Sequence, residues 1–246
     1  LLLGNWLLAR SAARDLVESQ MEQTAGVVGG GIPFFIQSGR SFAQEAAQSF
    51  TSQRDAGVDE ADALSAVLRQ VPFCSRLSVF DPTGRLIATT SADPSEAQAL
   101  LEIGPSLALA LEGTTRECVV AADPGSSGAR LAFLVPLASG NGAPTGGALA
   151  GWTDIASNPQ FSPVVERLEA VTEGEAFIVD ESGRILVHSD PTRVLQTATL
   201  PPQSGTASAV VAADGTRQWV LIRTAEGYTW PVGVIIPQRT INALAV

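Results

Sequence analysis

A nine-residue pattern occurs twice in this chain, and its recurrence limits the possible folds more than any other feature. Val79-Phe80-Asp81-Pro82-Thr83-Gly84-Arg85-Leu86-Ile87 aligns without gaps to Ile178-Val179-Asp180-Glu181-Ser182-Gly183-Arg184-Ile185-Leu186, an offset of 99 residues. Both copies read apolar–apolar–Asp–x–x–Gly–Arg–apolar–apolar. That is the chemistry of a β-hairpin: the Asp folds onto turn amides and the Gly supplies a positive φ. The region after each hairpin also repeats, since a helical or loop segment leads to three further strand-like stretches. Arg130 then corresponds to Arg217 at an offset of 87, and Gly147 to Gly233 at 86. An internal repeat of this length predicts two copies of one supersecondary unit.

The expected strands of the first copy are 76–81, 85–90, 116–122, 129–137 and 147–155. Those of the second are 175–180, 184–188, 206–212, 217–224 and 229–236. Asp93-Pro94-Ser95-Glu96 reads as a capped helix start, and 105–112 as a further turn or two of helix. Before the first hairpin lie about seventy residues of helical character. Residues 5–24 carry Leu8, Ala12, Leu16 and Met21 near helical spacing. Gly26 to Pro33 (GVVGGGIP) then predicts a break or bend, with helix resuming at Phe34. A further helix is expected behind Asp59, a good N-cap. Residues 158–172 form a helical linker between the copies, with Pro163 in its first turn.

Length and charge narrow the functions open to such a chain. Its 246 residues suffice for two ordinary cores. A net charge of −10, with every one of the 15 basic residues an Arg, offers no polyphosphate footprint, so nucleic-acid binding is excluded. Mean hydropathy is +0.20, yet Pro, Gly or charge interrupts each apolar run well short of the roughly 20 residues a spanning helix needs. The start, Leu1-Leu2-Leu3-Gly4-Asn5-Trp6-Leu7-Leu8, reads as the end of a membrane anchor with Trp6 at the interface, or as an ordinary helix N-terminus. Cys74 and Cys118 are either two buried thiols or one disulfide. With no C-x-x-C pair and no Cys/His cluster, no metal site is expected.

Catalytic constellations are equally lacking in the sequence. The single histidine, His188, precedes Asp190, but there is no G-x-S-x-G elbow to supply a nucleophile. Asp190-Pro191 reads as a turn and His188 as a strand-end residue. The glycine-rich 26–31 stretch lacks a P-loop ending and reads instead as a hinge or as helix packed closely against a neighbour. No haem or flavin ligand pattern is present, so no cofactor is expected, and the chain is read as a non-enzyme.

The order of elements resembles the double Cache sensor region, the extracytoplasmic ligand-binding part of bacterial transmembrane receptors. The residues carrying the resemblance are 174–191, from Gly174-Glu175-Ala176-Phe177 to Ser189-Asp190-Pro191, and the closing 228–237 run from Tyr228 to Pro237. The resemblance implies an α+β fold. A long N-terminal helix is followed by two PAS-like modules stacked along it, each a five-stranded antiparallel sheet with flanking helices. It implies a helical stalk over 1–72, a membrane-distal module over 73–156, a linker over 157–173 and a membrane-proximal module with exit segment over 174–246. The expected function is to bind a small molecule in the distal module and pass a conformational change across the membrane. A secreted or anchored interaction module without such a ligand is the alternative. Membrane attachment would come from flanking helices, and a homodimer through the N-terminal helix fits the same picture. In the amino-acid-sensing branch, an Asp near the end of the distal module's last strand contacts the ligand amine. Gly151-Trp152-Thr153-Asp154-Ile155 resembles that strand end and points to Asp154. The branch's Arg-x-Trp-Tyr run has no counterpart, since 99–120 holds no aromatic residue and only Arg116. Trp152, Arg116, Arg130 and Phe133 are further wall candidates, for which ordinary sheet packing is the competing role. For Asp154 the competing role is capping the helix that follows.

Overall fold

A computed structural model describes residues 2–91, 96–121, 128–138, 146–171, 173–198, 200, 205–212, 214–224 and 227–244. The expected cap at Asp93-Pro94-Ser95 lies outside them.

The first element, α1 (Leu2–Asp55), is one helix of 54 residues. The expected break at Gly26–Pro33 does not occur. Pro33 lacks the N–H that would reach back one turn, and glycines lower helix propensity, so locally the segment disfavours helix. Tertiary packing overrides that preference: Val28, Ile32, Phe35 and Ile36 are all fully buried, on both sides of the Pro. Asp59 caps α2 (Glu60–Leu68), accepting from the amides of Ala61 and Asp62. The two helical pieces expected within 93–112 are a single helix, α3 (Glu96–Leu111), that runs through Pro105. The linker helix α4 is shorter than expected, Ser162–Glu169, with Phe161 at its N-cap and Pro163 in its first turn.

The strands fall into two sheets. β1 (Arg76–Phe80), β2 (Leu86–Thr89), β3 (Arg116–Ala121), β4 (Ala129–Pro136) and β5 (Ala148–Asp154) form the first, in the order β2-β1-β5-β4-β3. β6 (Glu175–Val179), β7 (Ile185–His188), β8 (Ser208–Val211), β9 (Arg217–Thr224) and β10 (Pro231–Pro237) form the second, in the order β7-β6-β10-β9-β8. A short 3-10 turn (Pro191–Arg193) follows β7, and α5 (Gln238–Leu244) follows β10. All pairings are antiparallel and the two orders are the same, so the repeat is one topology built twice.

The two hairpins agree in detail. In the first, Asp81 accepts from the amides of Thr83 and Arg85 and from the Thr83 hydroxyl; in the second, Asp180 does so from Ser182 and Arg184. Gly84 and Gly183 sit at φ +82° and +81°, and the strand register slips one residue before each Asp turn. The Thr83 hydroxyl, chiefly, holds the Asp81 carboxyl below the usual range. For Asp180, burial alone would raise it, but Ser182 and the Arg184 amide and guanidinium outweigh that and hold it low.

The chain divides into two compact units. Unit 1 comprises Leu1–Phe34 with Phe161–Val246, and unit 2 is Phe35–Gln160. In unit 2 one face of the sheet lies against α1. A Cβ on Gly39 would stand 2.1 Å from the Phe133 ring, and one on Gly151 would stand 3.6 Å from the Ala43 Cβ. The opposite face packs under α3, with Phe80, Ala132, Leu134 and Trp152 against Ile103, Leu107 and Ala110. In unit 1, Phe177, Val179, Ile185, Val220 and Ile222 form a core on one face of the second sheet. Gly31 lets α1 approach α4 closely: a Cβ there would lie 2.5 Å from a Val164 methyl.

Cys74 and Cys118 are both free thiols, so the disulfide alternative is overturned. The pleat explains it. Cys74 Sγ packs where a Gly151 Cβ would be, on the α1 side, whereas Cys118 Sγ reaches the Glu102 carbonyl of α3 on the other. Burial pushes the Cys74 thiol up to about 12. Among the described residues no helix is long and apolar enough to cross a membrane.

Candidate functional site

Successive strand residues alternate faces, so registers place every side chain of unit 2's sheet. Trp152 pairs with Arg76 of β1 and with Ala132 of β4, and Ala132 pairs with Cys118 of β3. These four make one row across the α3-facing surface. The next row holds Asp154, Arg130 and Val120; the row on the other side holds Ser78, Ala150, Leu134 and Arg116.

The polar groups of this face converge around one indole. Trp152 is fully buried, and its Nε1–H donates to the Ser78 hydroxyl at 3.1 Å. The Arg76 guanidinium lies 4.5 Å over the indole centroid, and Arg76 is only 6% exposed. A cation held on an indole face in so dry a place is strongly anchored. One row along, Arg130 Nε donates to Asp154 Oδ1 at 3.1 Å. The Arg130 side chain is 9% exposed and that of Asp154 35%, so the pair is buried at its basic end and open at its acidic end. Two guanidiniums, one carboxylate, a hydroxyl and an aromatic ring therefore share one face of the sheet, the face whose Trp152, Ala132 and Leu134 pack under α3. The guanidiniums can hold a carboxylate in a two-pronged geometry, the carboxylate can take an ammonium, and the indole can pack against an apolar body.

Of the five residues singled out from the sequence, three meet here: Asp154, Arg130 and Trp152. Asp154 caps no helix, because α4 begins eight residues later and the Asp154 carboxylate is bonded to Arg130. Arg116 lies on the same face but on the edge strand, two rows from the Arg130–Asp154 pair and exposed. Phe133 is fully buried on the opposite face, against Gly39 and edge-on to Phe73 at 5.6 Å. Neither joins the cluster. Arg76 and Ser78 are the residues that sequence reasoning missed. Their signal was present: in Arg76-Leu77-Ser78-Val79-Phe80, two polar residues alternate into a strand that is buried throughout.

His188, a buried titratable group, belongs to unit 1. It stacks on Phe177 at 5.7 Å with its Nδ1 accepting from the Asp190 amide. Burial, then the nearby Arg193 charge, push its pKa down, so the ring is neutral near pH 7. Asp190 caps the 3-10 turn and makes no side-chain bond to the ring. Among the described residues no three of His, Cys, Asp or Glu stand close enough to hold a metal ion.

No protein-family model matches the sequence, and no curated protein does. Solved structures do. The ligand-binding domain of the Pseudomonas fluorescens chemoreceptor CtaA, in complex with L-isoleucine, superposes with a TM-score of 0.62 at 17% identity, covering 96% of this chain and 98% of that one. The ligand-binding domain of the Pseudomonas aeruginosa PAO1 amino-acid chemoreceptor PctC, in complex with GABA, gives 0.63 at 17%, covering 89% and 99%. The sensory domain of the Campylobacter jejuni chemoreceptor Tlp3 gives 0.65 at 9%, covering 96% and 99%. With its twin sheets of one strand order behind a single long helix, the chain has the fold of the ligand-binding domains of bacterial chemoreceptors, the double Cache fold that its repeat resembles.

Proposed function

We propose that this chain is the extracytoplasmic sensing region of a bacterial transmembrane receptor and that it has no catalytic activity of its own. Unit 2 corresponds to the membrane-distal module and binds a small organic molecule on the α3-facing side of its sheet. The observation that carries this reading is the buried Arg76–Trp152 stack beside an Arg130–Asp154 pair whose acidic end opens to solvent. Such a cluster inside a sheet core is costly relative to apolar packing, and a ligand's charged groups would offset that cost. Its chemistry suits a molecule carrying a carboxylate, with or without an amine, on a compact body. The amino-acid and GABA complexes of similarly folded chemoreceptor domains agree with that class. Binding would shift a two-state packing of α3 on the sheet, and the change would pass to the membrane through helices flanking the chain.

Self-association through α1 fits the same reading. Leu16, Val27 and Phe34 are 53%, 52% and 64% exposed, and spacings of 11 and 7 residues align them on one helical stripe. Sedimentation of the wild type against a Val27→Glu, Phe34→Glu variant tests it; unchanged mass would remove it.

The ligand is tested by thermal-shift screening against amino acids, organic acids and amines. A saturable rise in Tm with one class is expected, lost in Asp154→Ala while that variant still melts cooperatively. Stabilisation that survives both Asp154→Ala and Trp152→Phe would move the site elsewhere.

A further inference from the structure

Unit 1 holds a cavity of about 590 Å³, within the size range of small-molecule sites. It lies on the side of the second sheet facing α1, formed by Val234 and Ile236, and so is not the counterpart of the unit 2 patch, which faces α3. Val17 and Met21 of α1 and Leu244 of α5 complete an apolar trough. At its rim stands Arg167 of α4. The Arg167 Nε is buried and finds no hydrogen-bond acceptor among the described residues. Its acidic neighbour Glu166 is bonded to the Ser162 hydroxyl instead. A buried N–H of a charged group left without an acceptor is costly, and a guanidinium is matched best by a planar carboxylate. Glu173 also lines the cavity and is exposed, which disfavours a ligand carrying more than one negative charge.

We propose that this cavity is a second ligand site, specific for an aliphatic monocarboxylate whose chain lies in the trough and whose head group pairs with Arg167. It is independent of the unit 2 site, and a sensor carrying both would integrate two signals.

The sequence supplies its own reporter. Met21 is the only methionine and is 2% exposed in the cavity wall. In the full chain labelled with [13C-methyl]methionine, one methyl resonance reads the site directly. Titration with sodium octanoate should shift that resonance saturably, and 1-octanol, with the same chain and no charge, should bind more weakly. Arg167→Gln should weaken octanoate roughly ten-fold or more and leave 1-octanol unchanged. Ala170→Glu, at an exposed position on the cavity rim, should act in the same direction and serves if Arg167→Gln does not fold. Asp154→Ala should leave the octanoate titration as it is, which separates this site from the one in unit 2. The proposal is overturned if octanoate up to millimolar concentration leaves the Met21 methyl unmoved. It is equally overturned if octanoate and 1-octanol bind alike and neither charge variant changes that.

Discussion

Two adjacent glycines in α1 should respond to the same substitution with opposite signs. Gly30 is exposed and a Cβ there meets nothing within 4 Å. Gly31, the next residue, would place a Cβ 2.5 Å from the Cγ2 of Val164, itself buried at the core-facing side of α4. Both lie within one uninterrupted helix, so Gly→Ala brings each the same gain in helix propensity, about 1 kcal/mol. Gly30→Ala should therefore stabilise by about that amount. Gly31→Ala must push Val164 or α4 away, and overpacking of this kind costs about 1–3 kcal/mol. Because the propensity gain is common to both, the difference between the two variants isolates the packing cost. It should appear as a separation of several degrees in Tm, at roughly 2–4 °C per kcal/mol for a chain of this size, and as a matching shift in urea midpoint. Removing the offending methyl closes the cycle: in a Val164→Ala background, Gly31→Ala should become stabilising. If Gly31→Ala proves as stabilising as Gly30→Ala in the wild-type background, the close approach of α1 to α4 is wrong.

Individual contacts carry further expectations. Ser78→Ala strands the buried Trp152 indole N–H and should cost about 1–3 kcal/mol in urea denaturation, whereas Ser78→Thr should retain most of it. Burial and Arg193 depress the His188 pKa below its unfolded value, so the unfolded chain binds the extra proton as pH falls through about 6.5. Stability attributable to His188, which faces Phe177, Glu175, Asp190 and Arg193, is thus full above that pH and lost below it. His188→Gln should flatten the stability–pH slope as pH falls below about 6.5, and an unchanged slope would refute the assignment. The Cys74 thiol, pushed up to about 12, should resist a thiol reagent in the native protein at pH 8, while partly buried Cys118 reacts. Equal reactivity of the two would contradict the deeper burial of Cys74.

The sequence made the hairpins legible because their signal is local. Asp81-Pro82-Thr83-Gly84 and Asp180-Glu181-Ser182-Gly183 need only their own backbone to close, and both closed as read. The continuity of the helix through Gly26–Pro33 was not legible, because what keeps a weak local sequence helical there is the burial of Val28, Ile32, Phe35 and Ile36. The site was half legible for the same reason. Asp154 was pointed to by the family resemblance of its strand end, and Trp152 and Arg130 stood beside it as wall candidates, whereas Phe133 faces α1 and Arg116 sits on an exposed edge. Both outcomes depend on strand register and order, which a single chain does not spell out. Arg76 escaped notice because its partner in the stack is 76 residues away.

The division of the chain has a consequence for how the protein is made. Unit 2 is one unbroken stretch, Phe35–Gln160, and a ribosome completes it in a single pass. Unit 1 is split, its helical share emerging first and its sheet only after 126 intervening residues. Until Phe161–Val246 appears, the buried faces of α1 that carry Val17, Met21, Val28 and Ile32 lack the rest of their own unit. Synthesis therefore favours an order in which the inserted unit folds while its host waits. Lesions in α4 or β10 should then be more aggregation-prone during expression than equally destabilising lesions in β4 or β5.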